Sequence, residues 1–213
     1  MHKTGVLIVD DHAVVREGLR AIITADPGLQ VVGEAADGEG ACAQSIVLKP
    51  DIVIMDLSMP GLNGSQATRR VLAASPTSRV VVLTAHEEPA YVRHALDVGA
   101  RAYVLKRSVV QDLIRAIHLV ITGGIFLDAE LATRSAKTAQ NVGSGALSAD
   151  LSMREIEVAS LAAQGHSNSE IAADLTISVK TVETHKTRLM TKLGLRTRAQ
   201  LVRYALYRGW LSS

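Results

Sequence analysis

Cysteine is almost missing from this chain. Its 213 residues include one, Cys42, so no disulfide can staple the fold from within, and a reducing compartment fits. Aromatic residues make up only 3%, so the cores must rest on Ala, Val, Leu and Ile. No run of about twenty apolar residues occurs, which argues against a membrane-spanning helix. The first residues, MHKTGVLIVDD, meet acidic groups before an apolar stretch of signal-peptide length is built. The expectation is a cytoplasmic protein with no membrane partner. Net charge is small as well, at +2, but it is unevenly spread. Residues 1–122 carry 12 Lys and Arg against 13 Asp and Glu, residues 123–146 carry 2 against 2, and residues 147–213 carry 9 against 6. The positive excess therefore lies in the last third, where it points to a nucleic-acid partner.

The first part of the chain alternates between two periods. Short runs rich in Val, Ile and Leu predict strands at 6–10, 31–35, 51–56, 80–84 and 101–105. Several are apolar throughout, as strands of a parallel sheet covered on both faces would be. Helical patterns at 14–25, 39–48, 65–74, 89–97 and 109–121 separate them. Strand then helix, five times over, predicts an α/β domain with a parallel sheet and helices on both faces. Residues 123–146 form a connecting segment, with a possible short helix at 125–134. Its later part, near 135–146, is rich in Ser, Thr, Ala, Asn and Gly and reads as a linker. After it the strand pattern does not return. Four helices are expected, at 153–164, 169–175, 179–193 and 198–208. Ser152 and Glu155 make a capping box for the first, and Gly165 closes it. Ser167 or Asn168, Ser178 and Thr197 can cap the others. Two short helices joined by the turn LTIS and followed by a longer polar helix outline a helix-turn-helix.

Open parallel sheets collect ligands at the carboxyl ends of their strands. There the chain places Asp10 and Asp11, then Asp56, Thr84 and Lys106. Two adjacent carboxylates repel one another, and a divalent cation removes that repulsion. A few carboxylates and retained water suit Mg²⁺. Each residue has an ordinary structural reading too: Asp11 as a helix cap, Thr84 as a strand residue, Lys106 as a solvated cation. Their convergence on one sheet edge favours a site.

The segments VDDH, IMDLSMPGLNG, VLTA and AYVLKR resemble the receiver domain of bacterial two-component response regulators, over about residues 4–122. The resemblance implies a flavodoxin-like (βα)5 fold in which Asp56 accepts a phosphoryl group from a sensor histidine kinase. It implies Mg²⁺ held by Asp11, Asp56 and the backbone carbonyl of Ser58, with Asp10 at the metal site through water. Lys106 would pair with the transferred group and Thr84 would donate its hydroxyl to it. Tyr103 would follow Thr84 inward as a switch, a role to set beside that of a plain half-buried strand aromatic. Ser58 and His86 fall where receivers vary and where phosphoryl lifetime is tuned. One departure is Arg107, which follows Lys106 where many receivers carry a proline in a cis bond; the local geometry there is left open.

The segment LSMREIEVASLAAQGHSNSEIAADLTISVKTVETHKTRLMTKLGL resembles the LuxR-type (NarL/FixJ) DNA-binding domain, over about Leu147 to Trp210. At about 100° per residue, Val182, Leu189 and Leu193 share one face of the long helix. Thr184, Thr187 and Arg188 share the opposite face, with Glu183 at its margin. Lys180, Thr181, Lys186 and Arg188 are expected to meet phosphates, with Thr197 and Arg198 as weaker candidates. Glu183, Thr184 and Thr187 are placed to meet base edges. Lys186 leans to the packed side and would have to reach outward.

The combined expectation is a receiver domain at 1–122, a linker at 123–146 and an all-α, four-helix, helix-turn-helix domain at 147–213. Its partners would be double-stranded DNA, a histidine kinase and RNA polymerase, with a homodimer forming on phosphorylation. An enzyme is the rival class. A phospho-aspartyl hydrolase of the haloacid dehalogenase type needs a second Asp two residues after the nucleophile, and Ser58 stands there. A dinucleotide-binding enzyme needs a glycine fingerprint that ADGEGAC lacks. A third reading is a regulator controlled by a protein partner without phosphorylation.

Overall fold

All five apolar runs form strands, because branched side chains on a pleated, doubly covered surface pack well on both sides. The computed structural model describes residues 3–128, 131 and 151–211. The chain divides into two compact units. In the first, the strands are β1 (Thr4–Val9), β2 (Leu29–Ala35), β3 (Ile52–Asp56), β4 (Arg79–Thr84) and β5 (Ala102–Leu105). The helices between and after them are α1 (Ala13–Thr24), α2 (Gly38–Leu48), α3 (Gly64–Ala74), α4 (Pro89–Asp97) and α5 (Val109–Ile121).

Every strand pairing is parallel, and the spatial order is β2-β1-β3-β4-β5-β6. The segment 125–134, where a short helix was expected, is helical at Leu131 and carries a sixth strand, Phe126–Leu127. Those two residues pair with Ala102 and Tyr103, adding an edge to the expected five-stranded sheet. Of the rest of that segment, 125, 128 and 131 are described, and Leu131 is buried. The linker expected near 135–146 lies outside the described residues.

One face of the sheet buries Val6, Ile8, Ile52, Ile54, Val81, Leu83 and Val104 against Leu19 and Ile23 of α1 and Leu113, Ile117 and Val120 of α5. The alternate residues Leu7, Val9, Val53 and Met55 are fully buried as well, as the period of two requires. Each such side chain contributes about 1.5–3 kcal/mol by leaving water. The chain turns in opposite directions after β1 and after β3, which are neighbours. That reversal opens a crevice at their carboxyl ends.

The second unit holds α6 (Met153–Gln164), α7 (Asn168–Asp174), α8 (Val179–Leu193) and α9 (Arg198–Arg208). Val158, Ala162, Ile171, Val182, Leu189, Leu193 and Leu201 form its buried interior. Capping boxes open α6 (Ser152 with Glu155), α7 (Ser167 with Glu170) and α9 (Thr197 with Gln200), while Ser178 caps α8. Among the described residues, no helix is long and apolar enough to cross a membrane.

Candidate functional site

Asp10 follows the last residue of β1 and Asp56 ends β3, and both side chains are only 1% exposed. Between them sits Lys106, just past β5. Its Nζ donates to Asp10 Oδ2 at 2.7 Å and to Asp56 Oδ2 at 2.9 Å. Burial pulls the ammonium pKa down, but the bonds it donates to Asp10 and Asp56 outweigh it and hold the pKa above the ordinary lysine value. The other oxygens of the two carboxylates have separate uses. Asp56 Oδ1 accepts from the Ser58 amide at 3.2 Å. Asp10 Oδ1 accepts from the His12 amide at 2.9 Å.

Asp11 does not cap α1. The cap residue is His12, and no side chain bonds the free amides there. Asp11 Oδ1 is buried and accepts no hydrogen bond among the described residues. His12 Nδ1 lies 2.8 Å from that oxygen, near but not aligned as a hydrogen bond. A buried carboxylate oxygen without a donor is costly unless a cation reaches it. Donor atoms of Asp10, Asp11, His12 and Asp56 all lie within 4.8 Å of one another. Oxygen-rich donors around an oxygen lacking a partner fit a small divalent cation, and Mg²⁺ is the ion such a set suits.

Thr84 and Tyr103 form a second group, joined through His86. The His86 amide donates to Thr84 Oγ1 at 3.2 Å, and the Tyr103 hydroxyl donates to the His86 carbonyl at 2.9 Å. Thr84 and Tyr103 are both fully buried, so Tyr103 is not the half-buried aromatic its sequence position allowed. The Ser58 hydroxyl lies 3.0 Å from His86 Nε2, so Ser58 links the carboxylate group to this one. The peptide between Lys106 and Arg107 is trans, and Arg107 pairs with Glu87 at 2.7 Å.

Three residues support the site: Gly64, which the receiver resemblance places in the loop after Asp56, and Arg16 and His12, which were not anticipated. Gly64 opens α3 so close to the site that a Cβ there would sit 1.9 Å from the Asp56 carbonyl oxygen. Arg16 donates from Nη1 to the Asp10 carbonyl at 2.8 Å, tying α1 to the acidic loop. His12 contributes its ring as described.

On α8, Lys180, Glu183, Thr184, Thr187 and Arg188 are exposed, while Thr181 and Lys186 are partly covered. Thr181 is held at the cap by its amide and hydroxyl, which both bond Ser178 Oγ. Thr184 donates to the Lys180 carbonyl at 2.9 Å. Lys186 does lean to the packed side, where its Nζ donates to Asn168 Oδ1 at 2.9 Å at the start of α7. The turn between α7 and α8 places Thr176 at φ 54°, a left-handed conformation unusual for a β-branched residue. Arg154 of α6 donates to the Leu175 carbonyl in the same turn. Thr197 caps α9, and Arg198 begins it exposed to solvent.

Comparison with known proteins adds the following. Residues 6–118 match the response regulator receiver domain family, and residues 149–205 match the bacterial regulatory proteins of the luxR family. The oxygen regulatory protein NreC of Staphylococcus carnosus is 40% identical over 208 residues, covering 94% of this chain and 96% of that protein. NreC of Staphylococcus aureus shows the same identity and coverage. A solved structure of RcsB from Salmonella enterica serovar Typhimurium, bound to a promoter in the presence of the phosphomimetic BeF3⁻, superposes with a TM-score of 0.85. It is 29% identical and covers 97% of this chain and 100% of that one.

Proposed function

This chain belongs to the two-component response regulators that join a receiver domain to a LuxR-type DNA-binding domain, and on that premise we propose that phosphorylation of Asp56 controls its binding to promoters. It is a DNA-binding regulator, not an enzyme. The observation that carries the proposal is Lys106 bridging the buried carboxylates of Asp10 and Asp56 beside an Asp11 oxygen that accepts no hydrogen bond among the described residues.

In this reading a histidine kinase presents a phosphoryl group at the crevice, and Asp56 attacks in line through its carboxylate. Asp11, Asp56 and the Ser58 carbonyl would hold Mg²⁺, with Asp10 through water. When bound there, the ion would supply charge neutralisation for the transfer. Lys106 exchanges part of its resting pairing for a phosphoryl oxygen, acting as a point charge. Thr84 gives up the amide bond of His86 to donate to another oxygen. Because Tyr103 bonds the carbonyl of that same His86, a shift of Thr84 is felt at Tyr103. Phosphorylation then alters domain contacts and favours a homodimer, which sets two α8 helices on neighbouring half-sites. RcsB is described as dimers bound to DNA, which supports that step. Lys180, Thr181, Lys186 and Arg188 meet phosphates, and Glu183, Thr184 and Thr187 meet bases. The proposed boundaries are a receiver at 1–122, a linker at 123–146 and the DNA-binding domain at 147–213. The protein would act in the cytoplasm with RNA polymerase as a partner.

The direct test is acetyl phosphate with Mg²⁺ on the purified protein, read by intact mass. The wild type should gain one phosphoryl group and Asp56→Asn none. Equal gain by both would move the acceptor elsewhere.

A further inference from the structure

Ser108 stands at the N-cap of α5, yet its side chain does not cap the helix. A serine there ordinarily accepts a hydrogen bond from one of the first helix amides. Here the hydroxyl is turned to the sheet edge, where two acceptors share its proton. They are the Leu105 carbonyl at 3.2 Å and Asp128 Oδ2 at 3.1 Å. Asp128 is 8% exposed, and an acid so placed is costly without hydrogen-bond partners. It follows β6, which runs parallel to β5, so it lies on the same sheet edge as Asp56, Thr84 and Lys106. Two arms of the phosphorylation site meet at Asp128. Lys106 opens a single 3-10 turn, Lys106–Ser108, so Ser108 ends the turn that Lys106 begins. Tyr103, whose hydroxyl holds the His86 carbonyl, accepts at its own carbonyl from the Asp128 amide at 3.4 Å. That bond is long and β6 has only two residues, so the Ser108 hydroxyl weighs heavily in where β6 ends. From Asp128 the chain runs on to the helix-turn-helix unit, whose first helix begins at Met153.

We propose that the Ser108–Asp128 bond is a latch of the resting state, through which phosphorylation of Asp56 is felt in the segment leading to the DNA-binding unit. The inference rests on the phosphorylation reading above and deepens it, because it names the route by which the signal leaves the receiver. At rest the Lys106 ammonium bridges Asp10 and Asp56. A phosphoryl oxygen draws that ammonium to a new place, and the shift passes along a turn of three residues to Ser108. A proton shared between two acceptors is lost to one of them by a small displacement, because hydrogen bonds weaken steeply with misalignment. Asp128 then loses this hold, and the end of β6 shifts with it. The latch favours the resting form only through this differential contact. Removing the hydroxyl should therefore move the population towards the form that binds DNA.

The experiment uses the full chain as wild type, Ser108→Ala and Ser108→Thr, with and without acetyl phosphate and Mg²⁺. The probe is a DNA duplex selected from random sequence by the wild type treated with acetyl phosphate, at fixed salt. Intact mass should show that all three proteins take one phosphoryl group. Without the phosphodonor, Ser108→Ala should bind the duplex about fivefold more tightly than the wild type. With it, the two should bind alike, and Ser108→Thr, which keeps the hydroxyl, should follow the wild type throughout. Hydrogen exchange of the Asp128 amide should quicken on phosphorylation of the wild type and be quick already in Ser108→Ala. Four results would overturn the inference alone: Ser108→Ala matching the wild type in both conditions, Ser108→Ala losing affinity equally in both, Ser108→Thr behaving as Ser108→Ala, or exchange at Asp128 that ignores the phosphodonor. The second of these is what a merely structural serine would give. A wild type that takes the phosphoryl group and binds DNA no more tightly would sink the phosphorylation reading itself and this inference with it.

Discussion

Lys106 carries the resting charge balance of the crevice. Two carboxylates that are 1% exposed share its single ammonium, and isolated charges so deeply placed are strongly destabilising. Lys106→Ala should therefore destabilise the metal-free protein by about 3 kcal/mol. Mg²⁺ should restore much of that loss, since it supplies the missing positive charge. Denaturant unfolding with and without Mg²⁺ checks this. A loss of the same size under both conditions would mean that Lys106 acts by packing instead. The carboxylates and the lysine were legible from sequence because strand ends in a parallel sheet are a fixed address. His12 and Arg16 were not, because their part depends on where a ring and a guanidinium turn at the start of α1, and residue type alone does not set that.

At the scale of elements, caps and helix faces decide how α8 is presented. Glu155 closes the box on Ser152 and also takes Lys192 of α8 at 2.7 Å. Burial raises its carboxyl pKa, but the bonds from Lys192 and Ser152 prevail and hold it below the ordinary value of 4.5. A depressed carboxylate contributes stability above its unfolded pKa and loses it as pH falls through the folded one. The wild type should thus lose stability on acidification below about pH 4.5, and Glu155→Gln should show a flatter acid limb with about 1 kcal/mol less stability at neutral pH. Melting curves between about pH 6 and pH 3 measure both. Identical acid limbs would remove the charge from the account. On the exposed face, Lys180→Ala should weaken binding to all DNA sequences alike and reduce the salt slope by about 1. Binding isotherms at several salt concentrations read that slope. A change of sequence preference instead would make Lys180 a base contact. The four helices of the second unit were readable because each is opened by a Ser or Thr cap, and α6 ends at Gly165 as its sequence had marked. Strand β6 escaped because two residues, Phe126 and Leu127, are too few to show a period. Lys186 kept its expected inward lean, and its bond to Asn168 could not be foreseen without the approach of α7 to α8.

For the whole molecule, a phosphoryl group on Asp56 and DNA on α8 are two ligands of one chain. If each favours the same conformation, each must tighten the other, and such coupling is commonly about 1–3 kcal/mol. The chain Asp56–Ser58–His86–Thr84 and Tyr103 is a connected set of hydrogen bonds and close contacts through which a new charge at Asp56 can be felt at β5. The central claim is that this charge governs DNA binding. Its most direct measurement is the affinity of the full chain for promoter DNA at fixed salt, with and without acetyl phosphate and Mg²⁺, beside Asp56→Ala. Salt is held fixed because phosphate contacts make affinity steeply salt-dependent. The account predicts that the phosphodonor tightens wild-type binding about tenfold and leaves Asp56→Ala unchanged. Equal binding by both proteins under both conditions would contradict it and leave control to a protein partner.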